Sequence, residues 1–215
     1  MKRREPSRRS SSPRLRRPLE SAVAAGLGLS LACATASLPP PRVAASAAAT
    51  LSYSASLQVS VSGPDVRGRT RVLLAFRRPD AIRIEIPGSS GARLVAVVRA
   101  GRLTAVLPAE RAVFEGGAER SDLGALLGVD LAPAELMDVL VGVAPPDARD
   151  YRARWGEALP RKIEAVLADG TRLKATVDDA LTGLLLPEAA FEPPPHPGYR
   201  PVDAAEARRL LGGRP

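Results

Sequence analysis

The sequence predicts a mainly β (α+β) fold, in which a curled antiparallel sheet is plugged on its concave face by a short helical insert. Apolar and polar residues alternate strictly from Leu51 to Ser62, which is typical of a long strand with one solvated face. Turns containing glycine and proline join most of the further strand patterns. Helical spacing of leucines interrupts the strands within residues 121–142. A strand as long as the first one must twist and curl within a single sheet.

The chain begins with a segment typical of a secretory signal. Basic residues are frequent from Met1 to Arg17, and an uncharged stretch rich in alanine, glycine and leucine follows at 21–32. As a helix, this stretch would rise about 18 Å, which is too short to cross a hydrocarbon core of about 30 Å. We therefore expect residues 1–36 to be a leader that is removed or modified with lipid.

Two cleavage sites are compatible with this leader. Residues Leu29–Cys33 have the layout of a bacterial lipobox, and cleavage before Cys33 would leave a lipidated cysteine as the membrane anchor. Ala34-Thr35-Ala36 is an A-x-A site, and cleavage after it would release a soluble periplasmic protein. The place of Cys33 at the end of the apolar stretch favours lipidation, although Ser30 stands where the strongest lipobox has leucine.

The basic composition reflects export more than the binding of a polyanion. The whole chain has a net charge of +8, and residues 1–36 carry eight basic and two acidic side chains, which leaves about +2 for residues 37–215. The seven aromatic residues are widely spaced and predict no stacking platform for bases. Nucleic acid is therefore not expected as a partner. Cys33 is the only cysteine, so no disulfide can form within one chain.

A tether and one folded domain are predicted after the leader. Residues 37–48 are rich in proline, serine and alanine, which predicts a tether rather than a folded element. The domain is placed at 49–192, with a hairpin turn at Asp169-Gly170. After the first strand, further strands are predicted at Thr70–Phe76, Ile82–Ile86, Arg93–Arg99, Leu103–Leu107, Ala112–Glu115, Asp150–Trp155, Arg161–Ala168, Arg172–Asp178 and Leu184–Phe191.

Several of these elements carry more specific expectations. The strands Arg93–Arg99 and Leu103–Leu107 are apolar on both faces, so each face should be covered. In the insert, Ser121 is placed to cap the first helix, and Pro133 suits the first turn of the second. The remaining residues, 193–215, predict a mobile, proline-rich tail with one short helix, Ala204–Leu211.

Weak motifs follow one another in a fixed order along residues 48–203. They are Arg77-Arg78-Pro79, Ile82-Arg83-Ile84, Ala125-Leu126-Leu127-Gly128, Leu136, Leu140, Gly142, Tyr151, Trp155, Leu159-Pro160, Gly170, Phe191-Glu192-Pro193-Pro194, Gly198 and Val202-Asp203. In this order they resemble the LolA/LolB superfamily of bacterial lipoprotein-localisation proteins, and most of all its outer-membrane lipoprotein branch, LolB. The resemblance implies an incomplete β-barrel whose helical lid covers an apolar cavity for acyl chains.

The resemblance also implies roles for particular residues. Arg78 corresponds to an arginine that latches the lid through hydrogen bonds to its carbonyl groups; the alternative is a solvated arginine in a turn. The loop at 87–92 lacks the large apolar tip with which LolB inserts lipoproteins, so a carrier or lipid-binding role is favoured over insertion. The residues expected to line the cavity, or alternatively to form a filled core, are Leu57, Val59, Leu74, Phe76, Ile82, Ile84, Leu126, Leu127, Leu136, Met137 and Leu140.

No enzymatic chemistry is predicted. His196 is the only histidine and lies in a proline-rich segment, and no metal-binding or Ser-His arrangement is visible. We expect a monomeric protein without a cofactor, anchored to the outer membrane through Cys33 and binding acyl chains of lipoproteins or lipids. A periplasmic carrier protein is a candidate partner. Ala34 stands where an aspartate would retain many lipoproteins at the inner membrane. The alternative is an interaction lipoprotein of the cell envelope with a filled barrel.

Overall fold

The computed structural model describes residues 40–64 and 66–212, so the leader and Cys33 lie outside the described residues. Four α-helices are present in this part of the chain: α1 Pro41–Ala48, α2 Arg120–Leu127, α3 Pro133–Leu140 and α4 Ala204–Leu210. The strands are β1 Ser52–Ser62, β2 Arg67–Arg77, β3 Ala81–Gly88, β4 Gly91–Arg99, β5 Arg102–Leu107, β6 Ala112–Gly117, β7 Asp150–Trp155, β8 Pro160–Val166, β9 Arg172–Thr182 and β10 Arg200–Pro201.

These strands form one curled sheet that stays open. Their spatial order is β10-β6-β5-β4-β3-β2-β1-β9-β8-β7, and β1 pairs with both β2 and β9. The pairs are antiparallel except for β10, which runs parallel to β6. The two edge strands, β10 and β7, are not paired with each other. The prediction of a mainly β fold with a curled, incomplete barrel is therefore confirmed.

The alternation in β1 sets the two faces of the sheet. Leu57 lies opposite Val72 of β2, and both side chains are buried on the concave face. Successive side chains of a strand point to opposite faces, so the serines of β1 lie on the convex face. The concave face packs against α2, α3 and α4, and this contact forms the main core.

The convex face is covered where the sequence is apolar on both faces. Val95 and Val97 of β4 are buried there against Ala81 and Phe191, while Leu94, Ala96 and Val98 belong to the core on the concave face. Phe191 ends a short 3-10 helix, Glu188–Phe191, and is completely buried. This segment supplies the second covering layer that the sequence of β4 requires.

The tether prediction for residues 37–48 is wrong from Pro41 onward. Pro41–Ala48 is a helix, with proline at its first position, where the missing N–H costs no hydrogen bond. Ala47 is buried in the main core. Alanine has the highest helix propensity of all residues, and this preference outweighs the proline-rich composition once the helix can pack.

Two further local predictions are wrong. Leu184–Phe191 is not a strand: β9 ends at Thr182, Leu185 is fully exposed, and Pro187 precedes the 3-10 helix. Proline lacks the N–H that a strand ladder would use. Ser121 does not cap α2, because the helix begins at Arg120 with Glu119 at the N-cap position.

The C-terminal segment is packed against the sheet rather than mobile. Its β10 pairs with β6, and Ala207 of α4 is completely buried in the main core. Asp203 caps α4, since its carboxylate accepts a hydrogen bond of 2.6 Å from the amide of Glu206. Within the described residues, no helix has both the length and the apolar character needed to span a membrane.

Candidate functional site

An apolar cavity of about 130 Å³ lies between the concave face of the sheet and the helices α2 and α3. Thr70 contributes the one polar side chain among the lining residues. The volume is close to that of an engineered apolar protein cavity of about 150 Å³ that stays dry and binds benzene. In this conformation the cavity can therefore hold a few methylene groups of a ligand.

The two helices form a lid, which we define as residues 120–140. Pro133 occupies the first turn of α3, and the Glu135 carboxylate accepts a hydrogen bond of 2.7 Å from the amide of Ala132. Leu136, Val139 and Leu140 recur at helical spacing and line the cavity. The start of α3 thus orients one apolar face of the helix toward the sheet.

The sequence-predicted cavity residues divide into two groups. Phe76, Ile82, Leu126 and Met137 are fully buried in the main core and do not line the cavity. Phe76 and Met137 are 0 % exposed. The predicted residues that do line the cavity are Leu57, Val59, Leu74, Ile84, Leu127, Leu136 and Leu140.

Sequence reasoning missed the contribution of the later strands. Ile163 of β8 and Leu173 and Ala175 of β9 line the cavity because β9 pairs with β1. The alternation in Leu173, Ala175 and Val177 was visible, but the sequence does not tell which strand lies beside β1. The segment between the lid helices adds Val129 and Leu131.

Arg78 contacts the lid, but through a different group from the one expected. Its guanidinium donates a hydrogen bond of 2.6 Å to the carboxylate of Asp138 on α3, and its Nε donates to the carbonyl of Thr50 at 3.1 Å. Phe76 lies beneath the guanidinium, at 5.6 Å from the ring centroid. Among the described residues, a carboxylate therefore replaces the lid carbonyls that the resemblance implied as partners.

A second arginine connects the two lid helices to each other. Arg120, at the start of α2, donates hydrogen bonds to the carboxylate of Glu135 and to the carbonyl of Asp130. Asp147 lies 3.4 Å from the same guanidinium. Since Glu135 belongs to the first turn of α3, this network fixes the angle between the helices rather than the distance between the lid and the sheet.

Two tyrosines border this region, of which Tyr53 is buried and Tyr151 is half-buried. Tyr151 donates a hydrogen bond of 3.0 Å from its hydroxyl to the carbonyl of Val139 on α3. The Tyr53 ring stacks on Phe76 at 5.3 Å, and its hydroxyl has no hydrogen-bond partner among the described residues. Burial raises the pKa of both phenols far above the ordinary value, because the charged form would lose its hydration.

The described residues offer no group of three or more histidine, cysteine, aspartate and glutamate side chains that could hold a metal ion. His196 lies 3.5 Å from the carboxylate of Glu115, with its other ring nitrogen 2.9 Å from the carbonyl of Pro194. It does not line the cavity. None of the described residues that line the cavity is titratable.

No protein-family model matches this chain, and no curated protein matches its sequence. Similar solved structures include a LolA superfamily protein from Nitrosomonas europaea, which is 12% identical and aligns over 73% of this chain and 99% of its own, with a TM-score of 0.44. An uncharacterized conserved protein from Thermus thermophilus is 13% identical over 75% and 97% of the two chains, with a TM-score of 0.44. A domain from Vibrio parahaemolyticus, named for outer membrane lipoprotein sorting, is 10% identical over 70% and 94%, with a TM-score of 0.40.

These similarities concern the fold. The kind of ligand is inferred from the residues that line the cavity of this chain.

Proposed function

We propose that this protein binds acyl chains of lipoproteins or lipids in the cavity beneath the lid and takes part in their transfer in the bacterial cell envelope, without catalysing a reaction. The proposal rests on the residues that line the cavity. Among those that the structure describes, every side chain except that of Thr70 is apolar. Moving one methylene group from water into such surroundings contributes about 0.8 kcal/mol and requires no directional contact. Such a cavity suits hydrocarbon chains, whose methylene groups are chemically alike.

A full acyl chain requires more room than the present cavity offers. The volume of about 130 Å³ is enclosed on one side by α3, which Arg78 holds through Asp138. Arg78 also donates a hydrogen bond to the carbonyl of Thr50, in the segment between α1 and β1. We infer that the lid moves away from the sheet when a chain enters, and that the Arg78–Asp138 ion pair is the contact that has to break.

The proposed place of action follows from the leader. Lipidation of Cys33 would anchor the domain through the short segment that precedes α1, with the cavity facing the periplasm. Ala34, in place of aspartate, favours the outer membrane. Cleavage after Ala36 would instead give a soluble periplasmic carrier.

A second candidate is an interaction lipoprotein whose barrel is filled and carries no ligand. The small cavity volume favours it, as does the dense burial of Phe76, Ile82, Leu126 and Met137 under the same lid. In this reading the apolar residues stabilise the fold, and the surface of the domain binds other envelope proteins.

Lipid analysis of the purified protein separates the two candidates. We expect native mass spectrometry with solvent extraction to detect co-purifying lipid, and a fluorescent fatty acid to be taken up. Val59→Phe should fill the cavity and weaken uptake by about tenfold or more, since overpacking a site costs on the order of 1–3 kcal/mol.

Leu73→Phe is the matched control, because Leu73 is 38% exposed and lies on β2 beside Leu74, on the opposite face. It should leave uptake unchanged. Absence of co-purifying lipid together with absence of probe uptake would rule out acyl binding and favour the filled barrel.

A further inference from the structure

The convex face of the sheet is basic at one end. The register of β1 with its two neighbours places Arg67 of β2 and Arg172 of β9 on either side of Ser62. Arg69 and Lys174 flank the preceding serine of β1 in the same way. Residues that lie opposite each other in a ladder point to the same face, and the serines of β1 lie on the convex one. These basic side chains are therefore on the other side of the sheet from the cavity.

The same end of the convex face remains basic across the next two strands. Lys174 lies opposite Glu164 of β8, which in turn lies opposite Arg152 of β7. Over β2, β1, β9, β8 and β7, this end carries two acidic side chains among the described residues, Asp150 and Glu164. We call its basic residues, all of them exposed, the basic face: Arg67, Arg69, Arg71, Arg152, Arg154, Lys162, Arg172 and Lys174.

The basic face concentrates a charge that the composition conceals. Residues 37–215 have a net charge of about +2, because their acidic and basic residues are nearly balanced. On the basic face, Arg152 lies 3.3 Å from Asp150 and Lys174 lies 3.6 Å from Glu164. The described residues give its other six members no ion-pair partner. Like charges close together repel each other, so a negatively charged surface placed against them relieves this repulsion.

The composition of the basic face favours a lipid surface over a protein partner. A specific protein interface has a core of apolar and aromatic side chains from which charged residues are depleted. Here the charges occupy the middle of the surface, and the side chains between them are Gln58, Ser60, Ser62, Val166 and Thr176. A bilayer with anionic lipids requires no apolar core, since it attracts each nearby lysine or arginine separately. Five neighbouring strands span about 19 Å, which is wide enough to contact several lipid head groups.

We propose that the basic face binds the surface of a membrane that contains anionic phospholipids. The lid packs on the concave face, so a domain bound in this way presents its lid to the solution and not to the lipid. None of the residues of the basic face lines the cavity, so this contact goes beyond the proposed acyl binding. The proposed lipid anchor at Cys33 would keep the basic face within reach of such a surface.

Binding to vesicles tests the proposal. The full chain is purified with Cys33→Ala, so that no lipid anchor contributes, and every variant is made in this background. Vesicles of phosphatidylcholine and phosphatidylglycerol in a ratio of about two to one should bind the protein about tenfold or more tightly than vesicles of phosphatidylcholine alone. The difference should shrink as salt is added, because the charges are exposed.

The variant R67Q/R69Q/R172Q should lose most of the preference for anionic vesicles. The three arginines have no ion-pair partner among the described residues, so the urea denaturation midpoint should stay the same. R67K/R69K/R172K should bind as the unmodified protein does, since a charged surface attracts either cation. Loss of binding in the lysine variant as well would show a requirement for guanidinium geometry and overturn the proposal.

The matched control is R42Q/R102Q/R209Q, which removes the same charge from exposed arginines of α1, β5 and α4. It should keep the preference for anionic vesicles. The leader is common to all variants, so any contribution from its basic residues cancels in this comparison. An equal loss in both glutamine variants would show a general charge effect and overturn the proposal.

A fluorescent label tests the orientation on the membrane. Cys33 is the only cysteine, so the Cys33→Ala background accepts a single label at Ser60→Cys, on the convex face, or at Ala134→Cys, at an exposed position of α3. The emission of a nitrobenzoxadiazole label should shift to shorter wavelength on anionic vesicles at Ser60→Cys and stay unchanged at Ala134→Cys. A larger shift at Ala134→Cys would place the lid against the lipid and overturn the proposal.

The remaining outcomes separate the basic face from the cavity and from a protein partner. Val59→Phe should bind anionic vesicles as the unmodified protein does, because Val59 lines the cavity on the opposite face. Equal affinity for both types of vesicle would overturn the membrane contact and leave acyl binding intact. If R67Q/R69Q/R172Q kept its vesicle binding but lost a cross-link to an acidic envelope protein, the basic face would belong to a protein partner, and the membrane would be excluded.

Discussion

Gly142 and Trp155 are in contact at the point where the chain leaves the lid. The φ angle of Gly142 is +91°, and a Cβ atom built on it would lie 2.4 Å from the indole ring. Both the backbone conformation and the lack of space thus require glycine at this position. The contact fixes the end of the lid against β7 and β8.

We predict that Gly142→Ala destabilises the protein more than a matched glycine substitution does. Gly170 has a similar φ of +88° but no atom within 4 Å of an added Cβ, so Gly170→Ala measures the backbone strain alone. The extra loss of unfolding free energy in Gly142→Ala should be about 1–3 kcal/mol, from overpacking against Trp155. Urea denaturation measures the unfolding free energy of both variants. Equal losses would show that Trp155 moves aside at little cost.

Tyr53 and Tyr151 should respond differently to loss of the hydroxyl. Tyr151→Phe removes the hydrogen bond to Val139 and leaves that carbonyl without it, so the unfolding free energy should fall by about 1 kcal/mol. Tyr53→Phe removes a buried hydroxyl that has no partner among the described residues, so stability should stay within about 0.5 kcal/mol or rise. Thermal and urea unfolding at neutral pH compare the two variants. A large loss in Tyr53→Phe would contradict the assignment of its hydroxyl as unpaired.

The same residues predict the stability at alkaline pH. An unfolded tyrosine titrates near pH 10. Burial raises the pKa of Tyr53 and Tyr151 in the folded protein, so the unfolded chain loses these protons first. Stability is therefore fully present below about pH 10 and is lost as the pH rises through the raised pKa values. A variant with both tyrosines changed to phenylalanine should lose less unfolding free energy at alkaline pH than the unmodified protein does. The same dependence of stability on pH in both proteins would contradict this prediction.

At the scale of the elements, the lid is a separable layer on a continuous sheet. The backbone ladder runs continuously from β6 to β7 and includes no residue of the lid. The lid contacts the sheet through apolar side chains, the Arg78–Asp138 ion pair and the hydrogen bond from Tyr151 to Val139. A local opening of the lid can therefore occur without unfolding the sheet.

We predict that Arg78→Met and Asp138→Asn each make α3 open more readily. The pair is partly exposed, so the local opening free energy should fall by about 1–2 kcal/mol. Hydrogen exchange of the α3 amides measures this change, and the double variant should lose little more than either single one. Glu164→Gln, which removes an exposed ion pair between β8 and β9, is the control and should leave α3 unchanged. Unchanged α3 exchange in both latch variants would show that Arg78 does not hold the lid.

At the scale of the whole molecule, we expect the leader to determine where the cavity works. A lipidated Cys33 would keep the domain within reach of a membrane surface. We predict that Cys33→Ala shifts the protein from the membrane fraction to the soluble periplasmic fraction, while its urea denaturation midpoint stays the same. Unchanged membrane attachment of Cys33→Ala would favour cleavage at Ala36 with another means of membrane binding.

The sequence by itself determined the strands β1 to β9, the open mainly β fold and the apolar character of the insert. Period-two alternation in β1 and the Asp169-Gly170 turn act over a few residues, and such local preferences can be read directly. The helix at Pro41–Ala48 and the packed C-terminal segment were missed, because composition alone does not show whether a partner surface exists for Ala47 or Ala207.

The tertiary structure alone decided which apolar residues surround empty space. Phe76 and Leu74 have the same strand pattern, yet Phe76 is packed into the core and Leu74 lines the cavity. That difference depends on the curl of the sheet and on the distance between the lid and β1, which are set by contacts between residues far apart in the chain. For the same reason, the partner of Arg78 became visible only once β2 and α3 were placed in space.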